Sequence, residues 1–307
     1  MTTELVARSH GLDLAGSLWL PESPASALLV MHPGSGPSDR DNDVYFPPIR
    51  AALLARGVAV ASFDKRGVGG SGGSWLEAGI GEQADDLLAG VAAARAAGAD
   101  VPAGVFGHSQ GSWVVLEALR RAAPTDVAFG VASSGPAVPM GAQERYATHR
   151  ALGRLGVPAD DAARIDAATD GMYALAERGA GYDELLAWAG DPARADDVAL
   201  VSRTFGDELP PRPVWDLLLR LARFDPVPAL RTVRVPLLAV LGADDEVVPV
   251  DASVAALRDA VDPAWLHVAV LPGGGHRLSR PGSTAFVDGY PDVVVDFVVD
   301  QAGRYRG

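Results

Sequence analysis

A chain of 307 residues, 48% hydrophobic and 21% charged, has the profile of a globular protein with one large α/β domain or two small ones. With 26 Lys and Arg against 39 Asp and Glu the net charge is −13, so the field around the molecule repels phosphate backbones and nucleic acid is not expected as a partner. There is no cysteine, which excludes disulfides, thiolate-bound metals, iron–sulfur clusters and a cysteine nucleophile; Lys65, the single lysine, is a poorly placed candidate for Schiff-base chemistry.

Glu4 and Arg8 stand where a signal peptide would need its apolar stretch. The longest apolar runs, such as Ala27–Met31, fall far short of the ~18–20 residues that span a bilayer. A cytoplasmic location without a membrane partner is therefore expected. In chain order, Leu5–Ser9 and Ser17–Leu20 read as an edge hairpin. Short apolar runs then alternate with longer segments of helical period. Strands are expected at Ala27–His32, Val58–Asp64, Ala103–Gly107, Val127–Ala132, Pro236–Leu241 and Trp265–Leu271. Helices are expected at Tyr45–Arg56, Glu82–Ala97, Ser109–Ala122, Ala252–Val261 and Tyr290–Gln301. This alternation predicts an α/β fold with a mostly parallel central sheet flanked by helices.

From about Pro136 to Arg231 the alternation stops and only helix patterns remain. Ile165, Ala168, Met172 and Leu175 keep one helical face, as do Val214, Leu217, Leu218 and Leu221. Pro192, Pro210, Pro211, Pro213, Pro226 and Pro228 punctuate these helices. The expected division is a core of residues 1–135 and 232–307, with 136–231 inserted as a helical cap; a separate helical domain is the alternative.

Gly107-His108-Ser109-Gln110-Gly111 is a G-x-S-x-G sequence directly after one strand and before a helix. The glycines permit a sharp turn that exposes the Ser109 hydroxyl at a helix N-terminus, where developing negative charge is favoured. A nucleophilic serine needs a base, and the base an orienting carboxylate. His276 follows a glycine run after the last strand, where its side chain can reach over the sheet edge. His10, His32, His108, His149 and His267 fit that role less well. The carboxylates Asp244, Asp245 and Glu246 follow the penultimate strand and either include the orienter or form a solvated loop.

The order Ser109, Asp245, His276, each on a loop after a strand, resembles the α/β-hydrolase superfamily over nearly the whole chain. Gly242-Ala-Asp-Asp245-Glu-Val-Val-Pro249 is similar to that family's acid loop and points to Asp245 rather than Asp244. Gly34-Ser-Gly-Pro37-Ser-Asp39-Arg40-Asp41 and Asp64-Lys-Arg66-Gly67-Val-Gly69-Gly-Ser71 resemble loops of bacterial esterases and peptidase-like hydrolases. The resemblance implies an α/β-hydrolase fold and a Ser109–His276–Asp245 triad, with backbone amides of Ser35 and Gln110 as the oxyanion hole. Family members usually read His-Gly-Ser-Gly; here Pro33, which lacks an N–H, follows His32. Asp39, Arg40, Asp41, Asp64 and Arg66 read as ion pairs and turns that pin the two loops.

Relatives that use Asp at the elbow, the haloalkane dehalogenases and epoxide hydrolases, are excluded by Ser109. No H-E-x-x-H is present and no G-x-G-x-x-G stands directly before a helix, so neither metal nor cofactor is implied. The expected function is a serine hydrolase cleaving an ester or thioester through an acyl-enzyme, its substrate a small molecule or an acyl group borne by a carrier protein. Alternatives are transfer or cyclisation of a carrier- or CoA-bound acyl group, peptidase activity, or a non-catalytic ligand-binding protein of this fold. Trp113, Met172, Tyr173, Trp188 and Trp215, with Tyr182 and Phe205, are the candidates for an apolar acyl pocket, or else simply hold the cap together.

Overall fold

The computed structural model of the chain describes residues 1–206 and 209–304. β1 (Thr2–Ser9) and β2 (Leu12–Trp19) pair antiparallel from Thr2–Trp19 down to Ser9–Leu12. Next come β3 (Ala27–His32), α1 (Phe46–Ala55), β4 (Val58–Phe63), a 3₁₀ turn at Trp75–Glu77, α2 (Ile80–Ala96), β5 (Ala103–His108), α3 (Gln110–Arg121) and β6 (Phe129–Ser133). Six helices follow without a described strand among them: α4 (Met140–Leu155), α5 (Ala159–Glu177), α6 (Tyr182–Ala189), α7 (Ala195–Phe205), α8 (Arg212–Ala222) and α9 (Pro226–Leu230). The chain closes with β7 (Leu237–Gly242), α10 (Val250–Ala260), β8 (Leu266–Leu271) and α11 (Tyr290–Arg304).

The strands form one eight-stranded sheet in the order β1-β2-β4-β3-β5-β6-β7-β8. β2 runs antiparallel to β4, and every pair from β4 through β8 is parallel. The apolar runs are continuous because the sheet is covered on both faces. In β3, Ala27, Leu29 and Met31 join the core beneath α1 and α11, whereas Leu28 and Val30 join the core beneath α2 and α3. Leu28, Leu29 and Val30 are fully buried, each contributing about 1.5–3 kcal/mol of hydrophobic stabilisation.

Between β6 and β7, α5 packs on α4, α7 and α8, and α6 on α8. These helices enclose an apolar cluster of their own, formed by Leu175, Ala176, Ala180, Leu185 and Trp215. α9 differs from the rest. Its Ala229 and Leu230 pack with residues of α3, β7 and α10 in the core under the sheet.

Candidate active site

Parallel strands end on one edge of the sheet, and three of them deliver the site. β5 stops at His108, and Ser109 adopts φ 54° and ψ −123° before α3 begins at Gln110. Positive φ costs a non-glycine residue of order 1–3 kcal/mol, so the surroundings must hold it. They do so through backbone hydrogen bonds: Ser109 N–H donates to the Ser133 carbonyl at 2.9 Å and Ser112 N–H to the Ser109 carbonyl at 2.9 Å. The two flanking glycines are needed for close approach. A Cβ on Gly107 would fall 2.0 Å from the Gly111 carbonyl oxygen, and one on Gly111 would fall 2.6 Å from that of Pro33.

His276, on the loop after β8, places Nε2 2.9 Å from Ser109 Oγ. Its Nδ1 lies 2.9 Å from Asp245 Oδ2 and 3.2 Å from Oδ1. An anionic carboxylate can only accept, so Nδ1 carries the proton and Nε2 presents its lone pair to the serine hydroxyl. Asp245, just after β7, is 1% exposed, and its Oδ1 also accepts the amides of Val247 (2.8 Å) and Val248 (2.9 Å). Asp244 instead faces solvent, its amide tied to the Gly274 carbonyl at 2.9 Å. This arrangement can take a proton from Ser109 and stabilise the resulting imidazolium.

A cavity of about 380 Å³ opens over Ser109 and His276, and Ser35, Gly36 and Gln110 border it. Gly34 sits so near the elbow that a Cβ there would lie 3.4 Å from Ser109 Cβ. Both loops that frame this side are pinned by ion pairs. Arg40 binds Asp64 through Nε (3.0 Å) and Nη2 (2.8 Å), and Arg66 binds Asp86 through Nε (2.7 Å) and Nη2 (2.8 Å). Arg50 reaches Asp41 at 2.7 Å, and Asp39 accepts the Asp41 amide at 3.0 Å.

The aromatic candidates divide. Trp113 lines the Ser109 cavity, its indole N–H donating to the Pro136 carbonyl at 2.6 Å. Met172, Tyr173 and Trp188 line a second, apolar cavity of about 580 Å³ among the inserted helices, together with Phe205. Trp215 lines neither; it is fully buried in the helices' own cluster, with its N–H on the Ala180 carbonyl at 2.9 Å. Leu218 borders both cavities, and Tyr173 donates to Glu144, a wall residue of the first, at 3.2 Å. Walls not singled out by sequence include Lys65, Trp75, Met140, Glu144 and Leu217. Burial raises the Glu144 carboxyl above its usual pKa. Among the described residues, no group of three or more His, Asp or Glu side chains converges as metal ligands would.

The family model described as "Serine aminopeptidase, S33" matches residues 44–280. Curated proteins yield no match. Among solved structures, a proline iminopeptidase from Mycobacterium smegmatis superposes with TM-score 0.62 at 18% identity, covering 99% of this chain and 100% of that one. The esterase Pf2001 of Pyrococcus furiosus gives 0.60 at 18% identity, with 100% and 93% covered. Est1E from Butyrivibrio proteoclasticus, with bound ferulic acid, gives 0.59 at 16% identity, with 97% and 99% covered. At these identities the likeness is one of fold, and that fold is the α/β-hydrolase fold expected from the sequence.

Proposed function

Because the chain belongs to the serine aminopeptidase S33 family, a serine-hydrolase branch of the α/β-hydrolase superfamily, we propose that it cleaves a small-molecule ester or thioester by way of an acyl-enzyme on Ser109. The observation that carries this reading is the continuous series from Ser109 Oγ to His276 Nε2 (2.9 Å) and from His276 Nδ1 to Asp245 Oδ2 (2.9 Å).

In this mechanism Ser109 attacks the acyl carbonyl as His276 takes its proton. The amides of Ser35 and Gln110 receive the oxyanion, and each such donor supplies roughly 3–4 kcal/mol of transition-state stabilisation. His276 returns the proton to the leaving oxygen or sulfur, Asp245 stabilises its cationic form, and water then releases the acid by the same route. The helices within residues 136–231 act as a cap: Met140 from α4 and Leu217, Leu218 and Leu221 from α8 share the cavity with Ser109 and Trp113. These walls suit an apolar acyl group.

Glu144 favours a second reading. A half-buried carboxylate in the same cavity is where the ammonium of an N-terminal amino acid would pair, which would make the enzyme an aminopeptidase.

Intact-protein mass spectrometry after exposure to panels of esters, acyl thioesters and amino-acid amides separates these readings. An acyl adduct on Ser109 from the first two panels supports the proposal, whereas turnover confined to the amides replaces it with the second reading. Adding amine and alcohol acceptors shows whether the acyl group passes to water or is transferred. No adduct and no labelling of Ser109 by a fluorophosphonate would sink both.

A further inference from the structure

Lys65, the one lysine in 307 residues, lies two residues past the end of β4 and is 7% exposed. Its Nζ donates to the carbonyl oxygen of Gly34 at 2.9 Å, and its side chain borders the cavity that holds Ser109, Ser35 and Gln110. The carbonyl of Gly34 and the amide of Ser35 belong to a single planar peptide unit. A grip on that oxygen therefore sets the direction of the Ser35 N–H, which points the opposite way. A cationic donor also draws electron density from the carbonyl, and hydrogen bonds in series polarise one another, so the N–H becomes a stronger donor.

The surroundings do little to compensate this ammonium. Asp86 is committed to Arg66 through two hydrogen bonds and acts on Lys65 only through space. The imidazole of His32 is bonded to Gln83 at 3.2 Å and is held neutral by burial and by Lys65. Burial pushes Lys65 down to about 7, so near neutrality the ammonium and the amine share the site; both donate to the Gly34 carbonyl, and the ammonium form, which polarises it more, is held at a cost. An apolar side chain would fill the same space without that cost. Groups kept in such a state gather where chemistry needs them.

We propose that Lys65 is a positioning residue of the oxyanion hole: through the Gly34 carbonyl it aims and polarises the Ser35 amide at the oxyanion formed when Ser109 attacks. This rests on the reading of Ser109 as nucleophile and the Ser35 amide as donor.

The test compares wild type with Lys65→Met, which keeps the length and volume and removes the donor. kcat should fall about 10- to 100-fold, less than the loss of a whole donor, with KM within about twofold. A trifluoromethyl ketone shaped like the best ester forms an oxyanion on Ser109, so its Ki should rise by the same factor. The matching methyl ketone, which stays a neutral carbonyl, should bind unchanged. A merely structural role would move both ketones together or neither, and either result, or a wild-type kcat, overturns the proposal. If circular dichroism shows Lys65→Met unfolded, Lys65→Gln, with a shorter uncharged donor, must show the same split between ketones, and its absence overturns the proposal equally. Ser109→Ala keeps the two readings apart. An active Ser109→Ala enzyme removes the nucleophile and this proposal together, whereas an inactive one beside a fully active Lys65→Met removes this proposal alone.

Discussion

Tyr45 and Tyr290 lie 245 positions apart, yet their hydroxyls meet at 2.7 Å, and Ser133 Oγ stands 3.0 Å from the first and 2.8 Å from the second. All three groups are buried, and burial raises both phenols above their ordinary pKa, so they remain neutral donors. Ser133 also carries the carbonyl that holds the Ser109 amide, and the Tyr45 ring lies 4.2 Å from that of His108. The trio thus ties the starts of α1 and α11 to the back of the elbow. Tyr290→Phe removes two of the three contacts and leaves Tyr45 and Ser133 only each other, so part of their buried hydrogen-bonding capacity goes unmet, which costs about 1–3 kcal/mol. Urea unfolding should show that loss with little change in kcat. A variant as stable as wild type would mean that the trio contributes nothing net.

Arg40 and Asp64 join the two loops on the Ser35 side of the cavity. Asp64 is 5% exposed and accepts from Arg40 N, Nε and Nη2 and from the Gly70 amide. Removing one member of such a pair strands the other, at about 3–5 kcal/mol. Arg40→Met should therefore melt well below wild type. Arg40→Met with Asp64→Leu should recover part of the difference, because no buried charge is then left unpaired; Glu4, the other partner of Arg40, is exposed. Calorimetry on the two variants checks this, and a double variant worse than the single would contradict it.

Acid sensitivity follows from two buried imidazoles. Burial, aided by Lys65 for His32 and by His276 for His108, pushes each down to about 3 from an ordinary 6.5. The His108 Nδ1 accepts from Asn42 Nδ2 at 3.3 Å, as a neutral ring can. Between pH 6.5 and 3 the unfolded chain binds protons that these two groups refuse in the native state. The contribution of these two groups is therefore full above 6.5 and falls as pH drops, by up to ~1.4 kcal/mol per pH unit for each group. His32→Gln should flatten the dependence of the urea midpoint by one group's share. Parallel curves for variant and wild type would refute the assignment.

The strands buried on both faces were legible because a continuous apolar run has few other destinations; β3 spans the expected Ala27–His32. The edge hairpin was read too short. β1 starts at Thr2 and β2 at Leu12, although Asp13 and Gly16 are poor strand formers, because an eight-pair register closed by His10 and Gly11 at positive φ overrides local preference. Ser109 and His276 were readable from their places after strands and Asp245 from the likeness of its loop to the family's acid loop, and the structure brings the three within hydrogen-bonding distance. Trp113 apart, the apolar walls were not readable. Periodicity puts Leu217 on an apolar helical face without showing that it borders the cavity, and Trp215, a candidate for the pocket, packs instead with Leu175 and Leu185. Lys65 carried no local signal, since its role depends on a carbonyl 31 residues away.

The two adjacent aspartates after β7 offer the sharpest test of the proposed mechanism. Asp245 is enclosed: Oδ1 accepts from Val247 and Val248, Oδ2 faces His276 Nδ1, and Tyr146 of α4 caps the backbone carbonyl at 2.8 Å. Asp244 is exposed and borders a different hollow, beside Arg154 and Arg280. In Asp245→Asn the loop can keep its geometry, because the amide oxygen still accepts from Val247 and Val248. Its NH₂ then faces His276 Nδ1, which favours the tautomer that carries the proton on Nε2. That tautomer cannot accept the Ser109 proton, and the imidazolium also loses its counter-charge. kcat should fall by up to ~10⁴. Asp244→Asn removes a solvated charge usually worth under ~1 kcal/mol, so kcat should stay within about tenfold. Steady-state kinetics on both, with folding checked by circular dichroism, ranks them. The reverse order would transfer the role to Asp244, and two near-silent variants would show that His276 needs neither aspartate and point to Glu246 or Asp225 instead.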